Sequence, residues 1–210
     1  MIIIEGTIGA GKSTLLSLVS SHLTGYHIAS EPLELWDSFV TGPSLLQRFY
    51  EDPYRWAFAM EQMTLLSRVR EAVLLQQQYG PRLIMERSLF SGRYCFAHNS
   101  YANGFMNETE WYIYNQWFDY VTHHYPLTPR AVVYIRISPR QAFERVQKRN
   151  RLSEKTISLD YLSQIGELHD QLLLRESTRY GKKMPVLQVD GSSDQIKQVQ
   201  EIISFVKELT

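Results

Sequence analysis

The sequence predicts an α/β fold: a five-stranded parallel sheet with helices on both faces. Three observations carry that expectation. Short apolar segments at residues 2–5, 26–30, 82–86, 131–137 and 185–189 alternate with stretches of helical periodicity. The first of them opens through a Gly-rich turn directly into a helix. The composition, 44% hydrophobic and 21% charged over 210 residues, is that of an ordinary globular chain that needs no metal or disulfide staple. Strands separated by helices run parallel and are covered on both faces, and ligands then bind beyond the carboxyl ends of the strands.

Met1-Ile2-Ile3-Ile4-Glu5 reads as a buried strand from the first residue, which leaves no room for a signal or transit peptide. Together with a single cysteine, Cys95, it leads us to expect a cytoplasmic protein. The longest helix spans 54–78, started by Asp52-Pro53 and stopped by Tyr79-Gly80-Pro81. A helix over 107–124 carries Trp111, Trp117 and Phe118 as core or dimer contacts and ends at His123-His124, where cationic character suits the dipole. Another opens at Ser138-Pro139, with Ser as N-cap and Pro in the first turn. The last of this group covers 159–180, with Leu159, Leu162, Ile165, Leu168 and Leu172 at helical spacing. Asp190-Gly191, after the last strand, suits either a contact with a nucleotide base or a plain turn. No repeats or flexible linkers interrupt the chain, so residues 1–210 are expected to form one domain.

Lys plus Arg number 22 and Asp plus Glu 22, for a formal charge of zero. That balance argues against a general nucleic-acid coat or a polybasic membrane surface, and no apolar run approaches the roughly 18 residues of a membrane span. Any affinity for phosphate must be local. Gly6-Thr7-Ile8-Gly9-Ala10-Gly11-Lys12-Ser13 supplies it, matching G-x-x-x-x-G-K-[ST] between a strand and a helix. Glycines there turn backbone N–H groups toward phosphate, the helix N-terminus adds its dipole, Lys12 neutralises the outer phosphates, and the Ser13 hydroxyl suits Mg²⁺. The pattern implies nucleoside triphosphate binding. Alone it does not separate a GTPase, an ATPase and a small-molecule kinase, although no guanine-reading N-K-x-D follows it.

Glu31 stands at the end of the second strand, and Glu86-Arg87 at the end of the third. Each carboxylate taken singly suits a helix cap as well as chemistry. Beside the phosphate loop they make a charged cluster at one sheet edge. Arg145 and Arg149, four apart on one helix face, lead into Asn150-Arg151-Leu152-Ser153-Glu154, a polar stretch suited to a lid over phosphate, with boundaries near 149–158.

The chain resembles the deoxynucleoside kinase family. The likeness runs from the phosphate loop through Glu31-Pro32-Leu33-Glu34-Leu35-Trp36, Tyr50-Glu51-Asp52-Pro53-Tyr54-Arg55-Trp56 and Glu86-Arg87-Ser88-Leu89-Phe90-Ser91-Gly92-Arg93-Tyr94. It closes with Arg149-Asn150-Arg151, Glu154 and Ile157-Ser158-Leu159-Asp160-Tyr161-Leu162. The resemblance implies a P-loop kinase fold with an Arg-rich lid, ATP as donor, Mg²⁺, a deoxynucleoside accepting phosphate at its 5′-hydroxyl, and a homodimer.

It also implies roles. Glu31 would be the base, Arg87 would hold the 5′-oxygen and the transferring phosphate, and Lys12 would complete the catalytic set. Gly6, Gly9, Ala10, Gly11, Lys12, Ser13 and Thr14, with Arg145, Arg149 and Arg151 on the lid, would bind the donor. Ser13 and Glu86 would hold Mg²⁺. Tyr50 and Glu154 would read the sugar 3′-hydroxyl. Trp36, Trp56, Met60, Glu61, Arg68, Gly92 and Phe96 would line the slot for the base, with ordinary core packing as the other reading of Trp56 and Phe96.

Two positions depart from the animal pattern. Glu61 replaces the usual Gln five residues after the helix tryptophan, as in some bacterial deoxyguanosine and deoxyadenosine kinases, and Gly92 stands where deoxycytidine kinase has Asp. An ionised Glu61 accepts hydrogen bonds without donating, which suits the adjacent N1–H and N2–H of guanine, while Arg68 donates to O6 or N7. Deoxyguanosine is therefore expected first and deoxyadenosine next, against a pyrimidine or multisubstrate alternative. Phe90 to Phe96 looks closest to the thymidine and insect enzymes and favours that alternative. A nucleoside monophosphate kinase or a non-catalytic nucleotide-binding regulator would share the loop, but Glu31 sits badly beside an acceptor that already carries phosphate.

Overall fold

A computed structural model describes residues 1–37, 41–175, 177–180 and 183–209. Strands β1 (Ile2–Glu5), β2 (His27–Ala29), β3 (Leu83–Glu86), β4 (Ala131–Arg136) and β5 (Val186–Asp190) form one parallel sheet in the order β2-β3-β1-β4-β5. The register pairs Ile4 with Glu86 and Glu5 with Tyr134, so β3 and β1 end within a residue of one another while β4 runs two residues further, to Arg136. Because β2, β3 and β1 are adjacent, Glu31, Glu86-Arg87 and the phosphate loop emerge side by side. That adjacency is what the site depends on.

The principal helices are α1 (Lys12–Ser20), α2 (Leu45–Glu51), α3 (Pro53–Tyr79), α4 (Glu108–His124), α5 (Pro139–Arg149), α6 (Leu159–Asp170) and α7 (Gln195–Glu208). Side chains alternate across the sheet, as strand geometry requires. Ile3, Leu83, Met85, Val132 and Tyr134 pack on one face with α3 and α4, through Leu65, Val69, Tyr114 and Phe118. Ile2, Ile4, Ile84, Val133 and Ile135 pack on the other with α1 and α7, through Leu15, Leu16, Ile202 and Val206. The start signals act as expected: Asp52 accepts from Arg55 N ahead of Pro53, and Ser138 accepts from Gln141 N ahead of Pro139. Asn107 and Glu110 form a capping box on α4.

One boundary needs correction. The helix expected over 159–180 ends as α-helix at Asp170, widens to a π turn over Gln171–Arg175 and resumes as a short 3-10 segment over Ser177–Tyr180, with residue 176 outside the described residues. The break coincides with a tertiary anchor. Asp170 is pinned to the end of β4, accepting from Tyr134 Oη (2.7 Å) and from Arg136 Nε and Nη2 (2.9 and 2.8 Å). The π turn that follows buries Leu172 and Leu173. No helix among the described residues is long and apolar enough to cross a membrane.

Candidate active site

The loop after β1 is shaped by backbone that only glycine tolerates. Gly9 has φ 83°, and a Cβ there would meet the Ala142 carbonyl oxygen at 2.5 Å. Gly11, at φ 97°, is the N-cap of α1 and offers no side-chain cap, so the first N–H groups of that helix stay available to an anion. Lys12 is buried and donates from Nζ to Thr7 O (3.0 Å). Burial and Arg87 push its ammonium down to about 8, while Glu86, Glu31 and Glu5 pull it back up. Ser13 Oγ donates to Glu86 Oε2 at 3.0 Å, and Lys12 Nζ lies 3.8 Å from Glu86 Oε1. Two hard oxygen donors therefore stand beside the phosphate loop, a set that suits Mg²⁺ sharing its shell with phosphate and water.

Arg87 leaves β3 in the left-handed region, at φ 63°. Its N–H donates to Ile4 O (3.0 Å), its Nη1 to Gly6 O (3.0 Å) and its Nε to Glu31 Oε2 (3.3 Å). The fully buried Glu5 accepts from Ser88 N and Oγ, at 2.9 and 2.7 Å, and so clamps the residue that follows this unusual turn. Glu31 receives a second guanidinium, since Arg68 Nη2 donates to Oε1. Burial alone would raise the Glu31 carboxyl. Arg68, Arg87 and Lys12 outweigh it and hold the group below the usual carboxylate range.

One cavity joins these groups. It is lined by Gly9, Gly11, Lys12, Ser13 and Thr14 at one end and by Trp36, Met60, Glu61, Arg68 and Phe96 at the other, with Glu31, Tyr50, Glu86, Arg87, Arg149, Arg151 and Glu154 between. Trp36 is buried, donates to Ser67 Oγ (3.0 Å) and carries the Arg68 guanidinium 5.6 Å from its ring. Phe96 faces the Arg87 guanidinium at 4.6 Å. Glu61 is 3% exposed and accepts from Ser100 Oγ (3.2 Å). Burial pushes its carboxyl up to about 7, against the opposing pull of Arg68 and Ser100. The Tyr50 phenol is pushed up by burial and by the Glu154 carboxylate.

The polar stretch after α5 lies over this cavity. Asn150 ends the helix in the left-handed conformation, Leu152–Glu154 form a 3-10 turn, and Thr156 Oγ1 donates to Tyr50 O (3.2 Å). Arg149 Nη2 pairs with Glu154, which also lies 3.6 Å from Arg151 Nη1. Ile157 anchors the far side against Ala142, Val146 and Leu162.

Some residues expected here stand elsewhere. Trp56 lies outside the cavity lining: it sits a helical turn before Met60, between the guanidiniums of Arg48 (5.2 Å) and Arg55 (4.7 Å). Arg145 braces the loop from behind, donating to Ala10 O (3.3 Å) and Gly191 O (2.8 Å), and Gly6 and Ala10 are likewise behind the lining. Gly92 lies beneath Arg68; a Cβ there would meet Nη1 at 2.7 Å. Asp190 forms an Asx turn with Ser192, accepting from N and Oγ at 2.8 and 2.6 Å.

Sequence reasoning missed Leu33, Leu46, Phe49, Thr64 and Tyr161 in the lining, and Glu5 and Ser100 behind it. Thr64 stands three residues from Glu61 on one helix face, and Glu5 is a carboxylate in an apolar strand, so both left a signal. Ser100 left none.

The model of the deoxynucleoside kinase family matches residues 2–210. A probable deoxycytidine kinase of fowlpox virus is 33% identical over 98% of this chain and 88% of its own length. The chicken deoxycytidine kinase 2 is 34% identical over 97% of this chain and 89% of its own, and the mitochondrial deoxyguanosine kinase of Xenopus laevis 33% over 91% and 81%.

Proposed function

The chain belongs to the deoxynucleoside kinase family, and from that premise we propose that residues 1–210 form one kinase domain that moves the γ-phosphoryl group of ATP to the 5′-hydroxyl of a deoxynucleoside. The observation that carries the reading is one cavity lined both by Lys12 and Ser13 of the phosphate loop and by Glu31 and Arg87 at the neighbouring strand ends. Glu31 takes the proton of the 5′-hydroxyl as that oxygen bonds to the γ-phosphorus. The bond from phosphorus to the β,γ-bridging oxygen breaks, and ADP leaves. An alcohol is a weak nucleophile, so positioning and charge stabilisation dominate the gain in rate. Lys12, Arg87, Arg149 and Arg151 supply the positive charge, the last two by exchanging Glu154 for phosphate. Ser13 and Glu86 would hold Mg²⁺, which neutralises charge on the donor's β- and γ-phosphates when bound. Tyr50 and Glu154 face the sugar.

For the base we propose a purine preference, deoxyguanosine ahead of deoxyadenosine, resting on Glu61 as an acceptor of the guanine N1–H and N2–H and on Arg68 as donor to O6 or N7. One observation gives a second reading weight. Burial pushes the Glu61 carboxyl up to about 7, which favours its protonated form more than in an exposed glutamate. A protonated carboxyl donates and accepts, which matches the N3 and N4 edge of cytosine. Deoxycytidine is therefore the competing substrate, in keeping with the relatives that carry that name.

We also propose a homodimer through α3 and α4. Leu66 and Leu74 on α3 and Ile113, Trp117 and Tyr120 on α4 expose large apolar side chains, and sedimentation or light scattering gives the mass directly. The activity itself is tested with the four deoxynucleosides against labelled ATP and GTP. Transfer of the γ-label to a 5′-oxygen supports the reading; phosphorylation of thymidine monophosphate but of no nucleoside refutes it.

A further inference from the structure

Two arginines hold the Glu31 carboxylate, and they are held in different ways. Arg87 is fixed three times over: by its left-handed backbone, by the bond from its own N–H to Ile4 O and by the bond from Nη1 to Gly6 O. Arg68 has no comparable anchor. Its guanidinium donates to Glu31 and rests over Trp36, and its Nε, buried in a side chain only 9% exposed, has no hydrogen-bond partner among the described residues. A guanidinium offers five donors, and leaving a buried one unused is costly. The group is also placed by an absence, because Gly92 leaves the space that Nη1 fills: an added Cβ would lie 2.7 Å from it. Gly92 has ordinary helical dihedrals (φ −51°, ψ −54°), so its backbone does not demand glycine, and the room beside Arg68 does.

Resting on the kinase reading above, we propose that Arg68 is a positioning residue that couples capture of the nucleobase to release of Glu31. With the slot empty, Arg68 occupies Oε1 of the carboxylate that must accept the 5′-hydroxyl proton. A base edge presenting acceptors beside Glu61 draws the guanidinium away and satisfies its spare donors. Glu31 then keeps Arg87 on Oε2 and has Oε1 free for the hydroxyl. A 5′-hydroxyl arriving without a suitable base finds Glu31 still paired. Selectivity is thereby written into turnover as well as into binding. The lowered Glu31 carboxyl, for which Arg68 is the foremost charge, fits the paired state.

The probe is 1,2-dideoxyribose, which keeps the 3′- and 5′-hydroxyls and lacks a base. In R68M, kcat/KM for this sugar is expected to rise about tenfold or more, the scale of a lost charged hydrogen bond, while kcat/KM for the preferred deoxynucleoside falls. G92A displaces the same guanidinium from the other side and keeps the arginine, so it is expected to move the sugar in the same direction and decides the matter if R68M does not fold. Both variants phosphorylating nucleosides while leaving the sugar at or below the wild-type rate would overturn the coupling and leave the kinase reading intact. A wild-type protein that phosphorylates no deoxynucleoside would overturn both.

Discussion

At the phosphate end of the cavity a single run of chain, Gly6 to Ser13, supplies backbone N–H groups, a buried ammonium and a hydroxyl. At the base end Trp36, Glu61, Arg68 and Phe96 come from three separated segments and meet only in the folded protein. The first end is set by backbone, since Gly9 and Gly11 hold dihedrals that a side chain would forbid. The second is set by side-chain charge: burial raises the Glu61 carboxyl to about 7, and the Arg68 Nε has no hydrogen-bond partner among the described residues. On the proposed reading the fixed end serves the reaction and the soft end the choice of base.

Three sets of substitutions and one pH series probe that division, the largest effects belonging to the fixed chemistry. Glu31→Gln preserves shape and removes the base, and we expect turnover to fall by ~10²-fold or more with ATP binding nearly unchanged. Steady-state kinetics beside a nucleotide-binding isotherm checks this, and near wild-type turnover would take Glu31 out of the mechanism. Arg149→Ala or Arg151→Ala should come next, lowering kcat by roughly tenfold or more with little change in nucleoside affinity, because the contact tightens as charge develops in the transition state. A change confined to nucleoside affinity would contradict the lid role. Glu61→Gln belongs to the soft end. It should leave total turnover within a few-fold and shift preference from deoxyguanosine toward pyrimidines by ~1–3 kcal/mol, read from competition between substrates. The effect on Lys12 is smallest. With its ammonium near 8 in the free protein, apparent ATP affinity should weaken as pH rises from 7 to 9, and titration calorimetry at several pH values follows it.

The same contrast governs what could be read before folding. The phosphate loop is contiguous and its context is local, so Gly6 to Thr14 were legible as residues and as chemistry. Strand alternation likewise exposed Glu31, Glu86 and Arg87 as neighbours, because β2, β3 and β1 are adjacent. What escaped depended on contacts between distant segments. Ser100 bonds Glu61 across 39 positions of sequence, and Glu5 reaches Ser88 across 83. Trp56 is a slot residue by the family resemblance, yet it stands beside Arg48 and Arg55, outside the lining. The end of α6 was misread for a similar reason: Asp170 is tied to Tyr134 and Arg136 of β4, a tertiary demand that local periodicity does not contain.

In the proposed reading the base end reads its substrate through the charge on Glu61. The sign follows from its raised carboxyl. On the proposed reading, protonation of Glu61 at lower pH favours cytosine and its ionisation at higher pH favours guanine. The direct measurement is a competition among equimolar deoxynucleosides with saturating ATP, its products separated at pH 6 and at pH 8. We expect the ratio of deoxyguanosine to deoxycytidine monophosphate to rise by roughly tenfold or more between the two, as the ionised fraction climbs, and to lose that dependence in Glu61→Gln. A strong preference for thymidine, the same at both pH values and unchanged in Glu61→Gln, would contradict it.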